Sequence, residues 1–178
     1  MKTLFLIFGL GLLAVLQVQG LPVVEEEEQE DLGTWYLKAV IFDKEIPGGR
    51  QGSVSVTPMA IKILDGGNLK IQFTFRVADQ CHGVSVTLQE TEEPGKYTAY
   101  GGKYVVQIIK SGVEGHYILY GVTDLHGHQI RTAKLVGTDP DFNQEALEDF
   151  ENVTGARGLN TENIVIPKQR ETCSPGGD

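Results

Sequence analysis

The chain has 178 residues and carries 15 Lys and Arg against 24 Asp and Glu, a formal net charge of −9. That balance argues against nucleic acid as a partner, because a phosphate backbone calls for clustered basic side chains. It suits a poorly adhesive extracellular protein, and the length suits one domain with a real core.

Residues 1–20 read as a signal peptide. Lys2 supplies the positive start, an apolar run follows from Leu4 to Leu16, and Val18-Gln19-Gly20 offers small residues to the peptidase. A run of about thirteen apolar residues is too short for a hydrocarbon core that needs about twenty. The mature chain is expected to start at Leu21, to be secreted and to have no membrane span. Residues 21–32 hold Glu25 to Glu28, Glu30 and Asp31, which read as a solvated, flexible acidic leader. Residues 33–178 form the folded domain.

From Thr34 to Gly137 short β-branched and aromatic runs alternate with glycine-bearing turns. Residues 35–42 make a first strand, and the glycine-rich connection 46–52 follows. Residues 53–64 form a second run, and Asp65-Gly66-Gly67-Asn68 is a hairpin turn. Leu69, Ile71, Phe73 and Phe75 then alternate with Lys70, Gln72, Thr74 and Arg76, the period of a strand with one apolar face. Val84, Val86 and Leu88 repeat the pattern. Further strands are expected at 96–100, 103–110, 116–122 and 129–136, with turns at Glu93-Pro94-Gly95, Gly101-Gly102, Gly112 to Gly115 and Gly127. Eight strands with mostly short connections predict an all-β antiparallel meander.

After Gly137 the period changes. Ala146, Leu147, Phe150, Val153 and Thr154 make a helical stripe, with Asp139-Pro140 as the expected N-cap and first turn. Residues 163–166 are expected to add a short strand. Cys81 and Cys173 are the two cysteines, and in an oxidising compartment a Cys81–Cys173 disulfide is predicted, with two free thiols as the alternative. Asn152-Val153-Thr154 is an N-glycosylation acceptor.

Eight antiparallel strands remove their edges by closing into an up-and-down barrel, whose interior is either filled or holds one small guest. The predicted cavity lining is Leu37, Met59, Ile61, Leu69, Ile71, Phe73, Phe75, Val84, Val86, Leu88, Tyr97, Ala99, Tyr104, Val106, Tyr117, Leu119 and Leu135. Ala39, Ala99 and Ala133 are the small inward residues that leave room. The guest is expected to be a small hydrophobic molecule, bound through burial.

Gly33-Thr34-Trp35-Tyr36 resembles the Gly-x-Trp signature of lipocalins. Gly66-Gly67-Asn68-Leu69, Glu93-Pro94-Gly95-Lys96-Tyr97-Thr98, Lys134-Leu135-Val136-Gly137, Glu145-Ala146-Leu147-Glu148-Asp149-Phe150 and Glu171-Thr172-Cys173-Ser174-Pro175-Gly176 are similar to the von Ebner's gland, tear, odorant-binding and vomeronasal secretory subgroup. The resemblance spans essentially the whole chain. It implies a carrier of an odorant, pheromone, fatty acid or similar lipid, with Gly33 and Trp35 at the barrel floor and a C-terminal helix packed outside. It leaves a cell-surface receptor as a partner, and either a monomer or a weak homodimer. It also implies an alternative, inhibition of cysteine proteases through the rim loop 46–52.

Two positions depart from the family pattern. Thr138 follows Gly137 where an arginine usually covers the floor tryptophan, and Gly115-His116-Tyr117-Ile118-Leu119-Tyr120 keeps both tyrosines of a family motif without its acid. His126 and His128 flank Gly127 as an exposed turn with no acidic or thiol cluster to complete a metal site, so no metal and no cofactor are expected. No nucleophile elbow, zinc-protease pair or phosphate loop appears, so no catalytic residue is assigned and the chain is not expected to be an enzyme.

Overall fold

The computed structural model describes residues 30–43 and 54–173. The expected signal peptide, most of the expected leader and the expected rim loop 46–52 lie outside the described residues. The elements are β1 (Glu30–Phe42), β2 (Ser55–Val56), β3 (Met59–Ile63), β4 (Leu69–Val77), β5 (Gln80–Glu90), β6 (Lys96–Ala99), β7 (Tyr104–Lys110), β8 (His116–Leu125), β9 (His128–Gly137), α1 (Gln144–Ala156) and β10 (Lys168–Gln169).

From β4 to β9 each strand pairs antiparallel with the next. β1 then pairs with β9 on one side and β3 on the other, which closes the sheet into a barrel. Counting β2 and β3 as one interrupted strand, this is the eight-stranded antiparallel barrel with one C-terminal helix. The interruption falls at Thr57-Pro58. Pro58 has no N–H to give a ladder, while the Thr57 hydroxyl accepts from the Thr74 N–H at 2.9 Å and keeps the strands together.

Three local expectations change. β1 starts at Glu30, five residues ahead of Trp35. The helix is capped by Asn143, whose side chain accepts from the Ala146 N–H at 2.9 Å. Asp139 does not serve as the cap because its carboxylate accepts from the Asp141 N–H at 2.9 Å and the Lys38 ammonium at 3.3 Å. In the tail, Val165 makes a single bridge to Val40, and β10 runs parallel to β2 further on.

There are two apolar cores on opposite faces of the sheet. The inner one lines the barrel. The outer one joins Ala39, Ile41, Ile118, Ala133 and Leu135 of the wall to Ala146 and Phe150 of α1 and to Leu159. A β-bulge in β1 separates them. Leu135 opposes Ala39 while Val136 opposes Leu37, so Lys38 is an extra residue in the ladder. One extra residue inverts the alternation: Leu37 and Val40 face in, while Ala39 and Ile41 face α1. Ala39 and Ala133 are therefore small to admit the helix rather than to leave room inside the barrel.

Candidate ligand cavity

Residues directly opposite in an antiparallel ladder share a face, so the interior can be followed from strand to strand. Ile61, Ile71 and Val86 lie in one row, as do Leu69 and Leu88 beside Ile63. Tyr97 opposes Val106, Ala99 opposes Tyr104, and Ile108 opposes Leu119. Of the expected lining, Leu37, Met59, Ile61, Leu69, Ile71, Leu88, Ala99 and Val106 are buried in the inner cluster. Phe73, Phe75, Val86, Tyr97, Tyr104, Tyr117 and Leu119 are half-buried and pack against it. Val84 is half-buried and opposes Phe73.

Leu135 is the exception. It is 2% exposed in the outer core, under α1. The chain brings Val40, Phe42, Val56, Ile63, Ile108 and Val136 to the interior instead. For Val136 the sequence sign was ambiguous, because Leu135-Val136 is apolar on both faces and the helix was free to cover either.

Lys134 is the inward side chain that sequence reasoning passed over. It stands between Ala133 and Leu135, which face α1, and its ladder partners Val40 and Leu119 both face inward. Its amine therefore enters the apolar interior, and burial pushes its pKa below the ordinary lysine range. Among the described residues no carboxylate forms an ion pair with it. The available signal was a lone Lys inside an otherwise apolar or small strand segment, Thr132 to Val136.

Other polar groups line the walls. Tyr104 lies over Gly121, where a Cβ would meet its ring and hydroxyl, and burial raises its pKa. Tyr97 is raised by burial and then by Glu90. Phe73 and Phe75 have ring centroids 6.5 Å apart, and Phe75 stacks on His82 at 5.1 Å.

The two ends of the barrel differ. At the end where β1 meets the close of β9, Trp35 is half-buried, its indole N–H donates to the Leu32 carbonyl at 3.1 Å, and its ring and that of Tyr117 meet edge-to-face at 5.6 Å. An aromatic edge thus occupies a side of Trp35 in a chain that has Thr138 in place of the expected arginine. Gly33 enters this end with φ +91°, open to a side chain in space but not in backbone conformation. At the opposite end the turns carry Ala78, Asp79, Tyr100 and His126, the four described non-glycine residues with positive φ. Tight hairpins call for positive φ at their centres, and Tyr100 is 68% exposed at this end.

The Cys81–Cys173 disulfide is formed. Asn152 is exposed on α1, whereas the Thr154 hydroxyl of the same tripeptide is buried and donates to the Phe150 carbonyl at 2.8 Å. His126 and His128 are exposed, and among the described residues no group of three His, Cys, Asp or Glu gathers to hold a metal. No described helix is long and apolar enough to cross a membrane.

Residues 32–171 match the Lipocalin / cytosolic fatty-acid binding protein family. Over the full length of both chains the sequence is 57% identical to von Ebner gland protein 1 of Rattus norvegicus. It is 51% identical to Lipocalin-1 of Sus scrofa, covering 100% of this chain and 99% of that one. Among solved structures, the siderocalin Ex-FABP superposes with a TM-score of 0.69 at 15% identity, over 80% of this chain and 96% of that one, a likeness of fold.

Proposed function

The chain belongs to the lipocalin family, and from that premise we propose that it is a secreted, non-catalytic carrier whose guest is a small hydrophobic molecule with an acidic or carbonyl-bearing head. The apolar rows of the barrel supply the affinity, at about 25 cal/mol per Å² of apolar surface removed from water. The single observation that carries the finer reading is the Lys134 amine among Val40, Leu119 and their neighbours. An unpaired ammonium in an apolar site is costly, and a guest carboxylate or carbonyl oxygen would relieve that cost with a charge-assisted bond.

Names among the relatives fit this reading, including an odorant-binding protein of Mus musculus at 34% identity. The protease-inhibitor alternative depends on the loop 46–52, and no described residue favours it.

Two substitutions test the proposal against a fluorescent fatty acid and the matching fatty alcohol. Phe73→Lys puts a second charge into the apolar row beside Phe75 and is expected to leave a folded barrel that loses both ligands. Lys134→Met is expected to weaken the acid by about tenfold, the value of one charge-assisted bond of about 1.5 kcal/mol, and to leave the alcohol unchanged or tighter. A folded Phe73→Lys protein with undiminished affinity for both ligands would refute the carrier site. Equal effects of Lys134→Met on acid and alcohol would refute the head-group reading alone.

A further inference from the structure

A cleft of about 160 Å³ lies outside the barrel, between the wall, the start of α1 and the C-terminal tail. Leu135 and Leu147 form its inner side, and Phe142 and Ile166 stand over it at 64% and 48% exposure. None of these four belongs to the inner core.

The polar end of this cleft is built by the β1 bulge. The extra residue, Lys38, is turned out of the barrel and lines the cleft with a side chain only 5% exposed. Its ammonium lies 2.9 Å from His116 Nε2 and 3.3 Å from Asp139 Oδ1. His116 Nδ1 lies 3.2 Å from the Glu114 carbonyl, so Nδ1 carries the ring proton and Nε2 accepts from Lys38. Two of the three ammonium hydrogens are thereby used, which leaves one donor.

Beside it, Gln169 is fixed in orientation, since its Nε2 donates to the Leu37 carbonyl at 2.9 Å. Its Oε1 is consequently a buried acceptor with no partner, the one such side-chain atom among the described residues. An unmet buried acceptor is costly, so a donor that reaches it is favoured. The cleft is thus lined by Lys38, which has one donor unused, and by Gln169, whose oxygen has no partner, alongside the apolar Phe142 and Ile166.

We propose that this cleft is a second binding site, independent of the barrel, for a single-ring compound bearing a hydroxyl, such as a phenol. The volume matches one six-membered ring, since an apolar cavity of about 150 Å³ admits benzene. A hydroxyl meets both spare groups, accepting from Lys38 and donating to Gln169. A carboxylate meets only Lys38 and would face the Gln169 oxygen and the carboxylates of Asp139 and Asp141. Asp139 is held below the ordinary carboxyl range by the Asp141 N–H and then by Lys38, so it stays an anion in that position.

The test titrates para-fluorophenol and para-fluorobenzoate into the full chain by fluorine NMR, with and without saturating palmitate. Saturable phenol binding that survives palmitate, with magnetisation transfer to Phe142 or Leu147, is expected. Benzoate should bind at least tenfold more weakly. Phe142→Ala, at an exposed position that leaves the fold alone, should weaken the phenol severalfold, and Leu147→Trp should block it. No saturable binding would show that the cleft holds water only and would overturn the proposal. So would transfer to Phe73 alone, loss of binding with palmitate, equal affinity for the two probes, or indifference to both substitutions. Because transfer to Phe142 or Leu147 locates the phenol whether or not palmitate enters the barrel, failure here and failure of the carrier reading are separable.

Discussion

Lys134 makes the protein's stability depend on pH in a way that its exposed lysines do not. Burial lowers its pKa in the folded state, so between that lowered value and the ordinary value of about 10.4 the native state holds fewer protons than the unfolded chain. Stability then rises with pH across this window and is lowest beneath it, where the folded barrel must carry the ammonium. Tyr104 acts in the opposite sense further up. Its raised pKa means that the unfolded chain loses that proton first, so stability falls again above about pH 10. Urea unfolding of the unliganded protein should show a rise into the alkaline range followed by a decline. Lys134→Met should abolish the rise, keep the decline and be more stable at neutral pH. An identical alkaline rise in the variant would place the amine in water.

At the scale of elements, β1 and β9 decide most of the architecture, and Gly137 is where their packing is tightest. A Cβ on Gly137 would come within 2.9 Å of both His116 Cδ2 and Lys38 Cδ. Gly137→Ala is therefore expected to destabilise by about 1–3 kcal/mol, as overpacking does, read as a lower denaturation midpoint at unchanged slope. A shift below about 0.5 kcal/mol would mean that the bulge adjusts freely. The same two strands mark the limit of what alternation reveals. On β4, polar residues separate Leu69, Ile71, Phe73 and Phe75, so the inward face could be read directly, and these residues do line the interior. On β1, no residue signals the bulge at Lys38, because its cause is the fit against Leu135 and Val136 in a distant strand. Ala39 was misplaced for this reason, and Ala133 and Leu135 because β9 turns Lys134 and Val136 inward and leaves the other face to α1. The helix stripe was legible, since Ala146, Phe150 and Thr154 are buried as its spacing required. Its cap was not, because Asp139 is taken by Lys38 across a separation of 101 residues that local sequence cannot express.

For the molecule as a whole, the question is what closes the seam where β1 leaves β3. Trp35 opposes Met59, but higher on β1 the partner is the tail: Val40 and Val165 exchange N–H···O bonds of 3.0 and 2.8 Å. The tail continues along β2, with Lys168 N–H donating to the Val54 carbonyl at 2.8 Å and Arg170 N–H to Val56 at 2.9 Å. It reaches Cys173, tied to Cys81 on β5 at a sequence separation of 92. The tail thus spans the open stretch of the wall, and the disulfide holds it at Cys173. A loop of that length contributes about 4–5 kcal/mol in the chain-entropy picture, less whatever structure the unfolded chain retains. Two effects should therefore appear together in the Cys81→Ser, Cys173→Ser double variant. Unfolding free energy should fall by about 3–5 kcal/mol, and the amides of Val40, Val165, Lys168 and Arg170 should exchange with solvent faster than those of β4 and β5. Faster exchange confined to the seam would show local opening below the global barrier, and ligand off-rates should rise with it. Uniformly faster exchange, in proportion to the lost stability and without a seam-specific excess, would show that the disulfide acts through the unfolded chain alone and that the tail keeps its place without it.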